Sequence, residues 1–121
     1  SMMISEAIGR IDSLVHNTYS DHDKRKWLSN VDGQIKLQLV DTHDGASGTP
    51  FRPYGDQDAL LLAEPPFDAM YLHYLLAQVH YHNGEFDRYN NAIAMFQSCF
   101  DSFANHYRRT HTPRGVSIRY F

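Results

Sequence analysis

The feature that most constrains the fold is a ladder of apolar side chains between residues 86 and 107. Its members recur at alternating steps of three and four, so they share one side of an α-helix. They are Phe86, Tyr89, Ile93, Phe96, Phe100, Phe103 and Tyr107. A second stripe widens the face beyond a narrow two-helix seam, and its members are Ala92, Met95 and Cys99. So broad an aromatic face has to be buried against other helices or other subunits, and the pattern therefore predicts an all-α protein.

Length and composition predict one small helical domain spanning residues 1–121. Of its 121 residues, 42% are hydrophobic and 21% are charged, which is usual for a globular protein. A core of this size is small, so association with further copies would add stability. The formal charge of −3 argues against a dedicated nucleic-acid-binding protein. Cys99 is the single cysteine, which argues against a disulfide framework, and no stretch approaches the roughly 20 apolar residues of a membrane span.

Residues 4–43 predict two helices. Ser5 is the expected amino-terminal cap of the first, whose apolar face would hold Ile4, Ile8, Ile11 and Val15. Ser20 and Asp23 resemble a capping box at the start of the second helix, which should end near His43. The residues expected to face inward on this helix are Trp27, Leu28, Val31, Ile35 and Leu39.

Residues 44–65 show no periodicity and are interpreted as a long loop. Phe51 and Tyr54 stand between prolines in this loop, where a mere spacer would not need aromatic side chains. Two interpretations remain open: the segment docks on a neighbouring subunit, or it folds back on the core of its own chain.

Residues 66–112 predict an antiparallel helical hairpin. Its first helix should run from about Phe67 to His82, and because it is apolar on most sides we expect it to be central or to lie at an interface. Asn83-Gly84 is a typical helix stop, with Gly84 in the left-handed conformation. The ladder helix begins almost at once, so the two helices must be antiparallel neighbours.

Residues 113–121 predict an extended tail. Its apolar positions alternate with polar ones, and they are Val116, Ile118 and Tyr120. No partner strand is evident in the sequence, and an extended tail that lies on another subunit would supply the missing contacts. No acid follows Asp101, whereas Arg114 and Arg119 lie in the tail, so an acidic neighbour or a polyanion is a suitable partner for it.

The sequence contains no recognised catalytic motif. GxSxG, P-loop and GxGxxG patterns are missing, and Cys99 lies on the face expected to be buried, where a thiol is usually inert. His73 and His80 are two helical turns apart and share a face, yet further ligands at a recognised metal-binding spacing are missing. We therefore expect a protein that is not an enzyme, without metal or cofactor; the alternative is a metal-dependent enzyme built on these two histidines.

The order of several short segments resembles a phage family. A capped helix with Lys-Trp-Leu at 26–28 precedes a loop with Phe-Arg-Pro-Tyr at 51–54 and the turn LLAEPPFD at 61–68. The runs YLHYLLAQ at 71–78, NGEFDRYNN at 83–91 and THTP at 110–113 follow. This arrangement resembles the small proteins encoded beside the capsid genes of tailed phages and prophages of Gram-positive bacteria, and it is similar to head–tail connector (adaptor) proteins.

The resemblance implies a helical bundle that assembles as a ring beneath the portal, bridges head and tail, and leaves a channel for DNA. It implies copies of itself, portal and tail proteins as partners, proximity to DNA, and location in the virion after expression in the host cytoplasm. Within such a ring we expect subunit or portal contacts at Phe51, Tyr54, Ile118, Tyr120 and Phe121, with Arg114 and Arg119 meeting acids of neighbours or facing DNA. The alternative is a small phage-encoded regulatory or nucleic-acid-binding helical module, which would bind DNA in a salt-dependent way through these two arginines.

Overall fold

A computed structural model describes residues 1–43 and 48–113, and four α-helices account for most of them. The helices are α1 (Ile4–Leu14), α2 (Asp21–Ile35), α3 (Ala69–His82) and α4 (Phe86–Thr110). A π-helical turn at Lys36–Val40 continues α2. Within the described ranges the extended pairing consists of two isolated bridges, Met3 with Leu60 and His43 with Pro113. The all-α class predicted from the sequence is confirmed.

The prediction that Ser5 caps α1 was wrong. A distant residue, Asp58, accepts the hydrogen bonds from the first turn of this helix instead. Ser5 lies inside the helix, and Met3 occupies the cap position. The carboxylate of Asp58 accepts a hydrogen bond from the Ser5 backbone N–H at 3.0 Å and a second from the Ser5 hydroxyl. These bonds lower the pKa of the Asp58 carboxyl. The first turn of α1 is therefore held by the loop that precedes α3.

The second helix follows its prediction closely. Ser20 accepts a hydrogen bond from the Asp23 backbone N–H at 3.1 Å, which confirms it as the cap. All five side chains expected to face inward are buried. The regular α-helix ends at Ile35, and the π turn carries the chain to Val40, three residues before the predicted end.

The predicted hairpin is present, with α3 beginning two residues later than expected. Gly84 has a φ of +77°, a left-handed conformation that costs glycine little and lets the chain reverse within three residues. Tyr71, Leu75 and Val79 of α3 are fully buried, so this helix is the centre of the bundle, as its all-round apolar pattern predicted.

Within a single chain, the aromatic ladder of α4 is buried only toward its carboxyl end, and cover of the remainder by another subunit stays a prediction. Phe100 and Phe103 are buried, whereas Phe86 is 57% exposed and Met95 is 53% exposed. Cys99 is only partly buried as well. The reason is that, among the described helices, α4 packs along α3 and touches the π turn after α2, so its amino-terminal half has one neighbour.

The described part of the loop, residues 48–65, folds back on α2. Phe51 lies against Gly33: a Cβ added to Gly33 would be 3.6 Å from the Phe51 ring. The Tyr54 backbone N–H donates to the Ser29 hydroxyl at 2.9 Å, and the Tyr54 hydroxyl donates to the Asp32 carboxylate. Of the two interpretations that the sequence left open, packing on the protein's own core is the one observed; a contact with a neighbour stays a prediction.

Asp32 organises this region. Its side chain is fully buried and accepts hydrogen bonds from the hydroxyls of Tyr54 and Tyr71 and from the Leu62 backbone N–H, the last at 3.1 Å. The Tyr71 hydroxyl in turn accepts from the Ala63 backbone N–H at 2.7 Å. Burial raises the pKa of the Asp32 carboxyl, while the bonds from both tyrosines favour its charged form. The carboxylate therefore joins α2, the loop and α3.

Candidate interface at the turn of the helical hairpin

Six aromatic side chains make a connected surface where the hairpin turns, which we call the aromatic end. They are Tyr19, Trp27, Tyr81, His82, Phe86 and Tyr89. Trp27 stacks on His82 with ring centroids 5.4 Å apart and planes 11° apart. The ring centroid of Tyr81 lies 5.3 Å from those of His82 and Tyr89 and 5.9 Å from that of Phe86. The rings therefore continue from the start of α2, across α3, to the start of α4.

Local structure explains why these rings meet. The tight reversal at Gly84 places the last turn of α3 beside the first turn of α4, so Tyr81 faces Phe86 and Tyr89. The connection between α1 and α2 ends at the same level, because the Tyr19 hydroxyl donates to the Asn83 side-chain oxygen at 2.6 Å. That bond ties the start of α2 to the hairpin turn.

Much of the aromatic end is exposed to solvent. Tyr81 is 49% exposed and Phe86 57%, His82 is exposed, and Tyr19 and Tyr89 are partly buried. Scattered apolar side chains on a surface are ordinary, but a contiguous exposed aromatic cluster is typical of an interaction site. The physical cause is the hydrophobic effect: the free energy falls when a partner covers rings that were exposed to water.

A cavity opens within the aromatic end, beside Trp27. It measures about 300 Å³ and is lined by Tyr19, Asp23, Lys26, Trp27, Asn30, Gln78 and His82. Its wall therefore combines aromatic rings with amide and charged groups. Such a mixture suits an anchoring side chain of a partner, with the rings for apolar contact and the polar groups for its hydroxyl or backbone.

Acidic side chains outnumber basic ones around the aromatic end. The carboxylates of Asp23, Glu85 and Asp87 lie beside its rings, as do the cations of Lys26 and Arg88. Glu85 accepts a hydrogen bond from Arg88 at 3.3 Å, and its bond with His80 at 3.0 Å lowers the pKa of its carboxyl. The surface is therefore apolar with an acidic border.

The two histidines considered as metal ligands line a shallow groove between α3 and α4 instead. His73 and His80 share it with Leu76 and Met95. His80 is bonded to Glu85, and residues 1–43 and 48–113 contain no group of three side chains able to hold a metal ion. The groove therefore offers two imidazoles without a further ligand among the described residues.

The tail leaves the bundle at the opposite end of α4. His43 contacts the Tyr107 ring at 5.1 Å, and Tyr107 stacks on His111 at 3.7 Å. Pro113 is bridged to His43, so the chain is held at this level where the tail begins. The predicted contact residues of the tail lie outside the described residues, and they are Arg114, Ile118, Arg119, Tyr120 and Phe121.

The other two predicted contact residues, Phe51 and Tyr54, pack edge to face at 5.5 Å on the middle of α2. They do not belong to the connected rings of the aromatic end. The sequence ladder did include Phe86 and Tyr89, but nothing in the sequence indicated that Tyr19 and His82 would join them. Their contacts depend on the three-dimensional placement of α2 beside the hairpin turn.

Within the described ranges, none of the helices has the length and apolar character needed to cross a membrane. No protein-family model matches the chain, and no curated protein or solved structure matches it either.

Proposed function

We propose that the protein is a structural, non-enzymatic subunit of a tailed-phage or prophage virion that assembles with copies of itself. Its specific role would be that of a head–tail connector, forming a ring between portal and tail around the DNA channel. The observation that supports self-assembly is the aromatic end, with Tyr81 and Phe86 about half exposed in one connected group of rings. The order of sequence segments supports the phage role.

The shape of the subunit also supports a ring. The aromatic end and the exit of the tail lie at opposite ends of α4, so the two surfaces offered for association differ. Contacts between unlike surfaces are heterologous, and they generate closed rings when the rotation between subunits closes. Identical surfaces would instead favour a two-fold dimer.

The buried polar network around Asp32 supports a structural role. The carboxylate of Asp32 is surrounded by Tyr54 and Tyr71, and all three side chains hydrogen-bond within the fold. Burial raises the pKa of both tyrosine hydroxyls, and the nearby carboxylate raises them further. These groups hold the loop on α2 and are not presented to a substrate.

The test is to measure assembly of the full chain by sedimentation velocity and negative-stain electron microscopy, alone and with the portal protein encoded nearest to its gene. We expect rings, either at high concentration or on the portal. The double variant Tyr81→Ser/Phe86→Ser should lose them, because it removes two exposed rings of the aromatic end. Met95→Ser is the matched control, since Met95 is equally exposed on the same helix but outside the aromatic end.

A single species of one-subunit mass under every condition, including with portal, would contradict the proposal. Salt-dependent binding of duplex DNA by the monomer, lost on substitution of Arg114 and Arg119, would instead favour the regulatory or nucleic-acid-binding alternative.

A further inference from the structure

We infer that the aromatic end receives the tail segment, residues 114–121, of a second copy of the chain, with Val116, Ile118 and Tyr120 against its exposed rings. This inference rests on the proposed self-assembly and names the contact that produces it. The tail and the aromatic end lie at opposite ends of the subunit. Every copy can therefore place its tail on one neighbour and bind the tail of another.

Distance separates a tail from the aromatic end of its own chain. Phe86 is the first residue of α4, and Tyr107 lies 21 residues further along the same helix. At the helical rise of about 1.5 Å per residue, these two levels are about 31 Å apart. Pro113 stays near the Tyr107 level because it is bridged to His43, whose ring contacts Tyr107. Along the helix axis, the tail therefore starts about 31 Å from the level of Phe86 and about 27 Å from that of Tyr89.

The tail is too short to bring Val116 or Ile118 across that distance. Ile118 is five residues beyond Pro113, and an extended chain advances at most about 3.6 Å per residue, so Ile118 stays within about 18 Å of Pro113. Val116 is nearer still. Neither side chain can lie on the aromatic end of its own chain, whereas a tail from a second copy has no such restriction.

The tail and the aromatic end are complementary in charge and in apolar character. The segment 114–121 carries two arginines and no acid, while all 14 acidic residues of the chain precede it. The aromatic end has an acidic border that includes Asp23 and Asp87. Alternating apolar side chains would cover the rings of Tyr81 and Phe86, and the arginines would lie near the carboxylates. The cavity beside Trp27 is large enough for one aromatic side chain, and Tyr120 is suited to it.

A mixing experiment with two full-length variants tests the inference. Ile118→Asp removes a working tail, and Tyr81→Ser/Phe86→Ser removes a working aromatic end. We expect each variant alone to remain monomeric in sedimentation velocity. Their equimolar mixture should give a heterodimer and nothing larger, because it contains one intact tail and one intact aromatic end. Ser117→Asp is the matched control, since it adds the same charge on the opposite side of the alternating segment and should preserve assembly.

Two results would overturn the inference and leave the proposed function intact. One is assembly of Ile118→Asp at the wild-type level while the aromatic-end variant fails, which would show that these rings meet another surface or another protein. The second is failure of the mixture to form a heterodimer when the wild-type chain assembles. A wild-type chain that never assembles, either alone or with portal, would contradict the proposed function itself.

Trp27 gives an independent readout, because it is the single tryptophan of the chain and stacks on His82 within the aromatic end. A synthetic peptide of residues 112–121 should change the Trp27 emission of the full-length Ile118→Asp protein in a saturable way. The same peptide carrying Ile118→Asp and Tyr120→Asp should bind at least about tenfold more weakly, a difference of about 1.4 kcal/mol. Unchanged emission together with unchanged anisotropy of a labelled peptide would overturn the inference. Far-UV circular dichroism of each variant checks that its helices remain folded.

Discussion

At the scale of single residues, Asp32 has the largest structural consequence. A buried carboxylate is costly unless its oxygens are hydrogen-bonded, and here two hydroxyls and one backbone N–H supply the bonds. Removing the carboxylate would leave these three donors without their partner. Removing one donor would leave a charged group that still has two.

We therefore expect Asp32→Ala to lower the free energy of unfolding by about 3–5 kcal/mol and Tyr54→Phe by about 1–2 kcal/mol. Tyr54 is the milder case because its ring is partly exposed and the other donors to Asp32 remain. Urea denaturation followed by circular dichroism measures both variants. A loss below about 1 kcal/mol for Asp32→Ala would show that the network does not hold the fold together.

At the scale of the secondary-structure elements, the ends of the helices depend on residues of different origin. α2 is capped by Ser20, the residue directly before it, and α1 by Asp58, from the loop before α3. α3 is followed by Gly84, whose left-handed conformation only a few residue types could adopt without strain. Two predictions concern these ends.

Asp58→Ala should destabilise the protein in a pH-dependent way. Because the folded-state pKa of Asp58 is lowered, its contribution is present above the ordinary carboxyl pKa of 3.8 and is lost as the pH falls through the lowered value. The difference in melting temperature from wild type should be clear at neutral pH and should shrink in strong acid. Asp56→Ala, an exposed neighbour in the same loop, is the control. An equal difference at both pH values would argue against charge-assisted capping of α1.

Two glycine substitutions should have opposite signs. Gly84 is left-handed, so Gly84→Ala should cost about 1–2 kcal/mol although nothing lies within 4 Å of the added Cβ. Gly9 is inside α1 with equally open surroundings, so Gly9→Ala should stabilise by about 0.5–1 kcal/mol through reduced chain entropy. Chemical denaturation of both variants measures the signs. Equal effects would show that backbone conformation is not the cause.

At the scale of the whole molecule, folding and assembly should be separable. The four helices and their buried core lie before Pro113, and residues 114–121 follow them. Truncation after Pro113 should therefore leave far-UV helicity and cooperative unfolding intact while abolishing the ring. Sedimentation velocity and circular dichroism on the same sample measure the two properties. A truncated chain that still forms complete rings would refute a role for the tail in assembly.

The sequence by itself determined the helices, because their signals are local. The spacing in α2 identified its buried face, Ser20 its cap, and Gly84 the end of α3, all from residues a few positions apart. Tertiary structure decided the rest. Asp58 caps a helix 53 residues away, and Asp32 joins Tyr54 and Tyr71 at separations of 22 and 39 residues.

The aromatic end belongs to the same class, since its rings come from three helices and from the connection before α2, which only packing brings together. The ladder of α4 predicted a face in need of cover. Which half of that face stayed exposed depended on where the π turn after α2 lay. Periodicity reports the contacts that a helix requires, whereas the arrangement of distant helices determines which of those contacts the chain itself supplies.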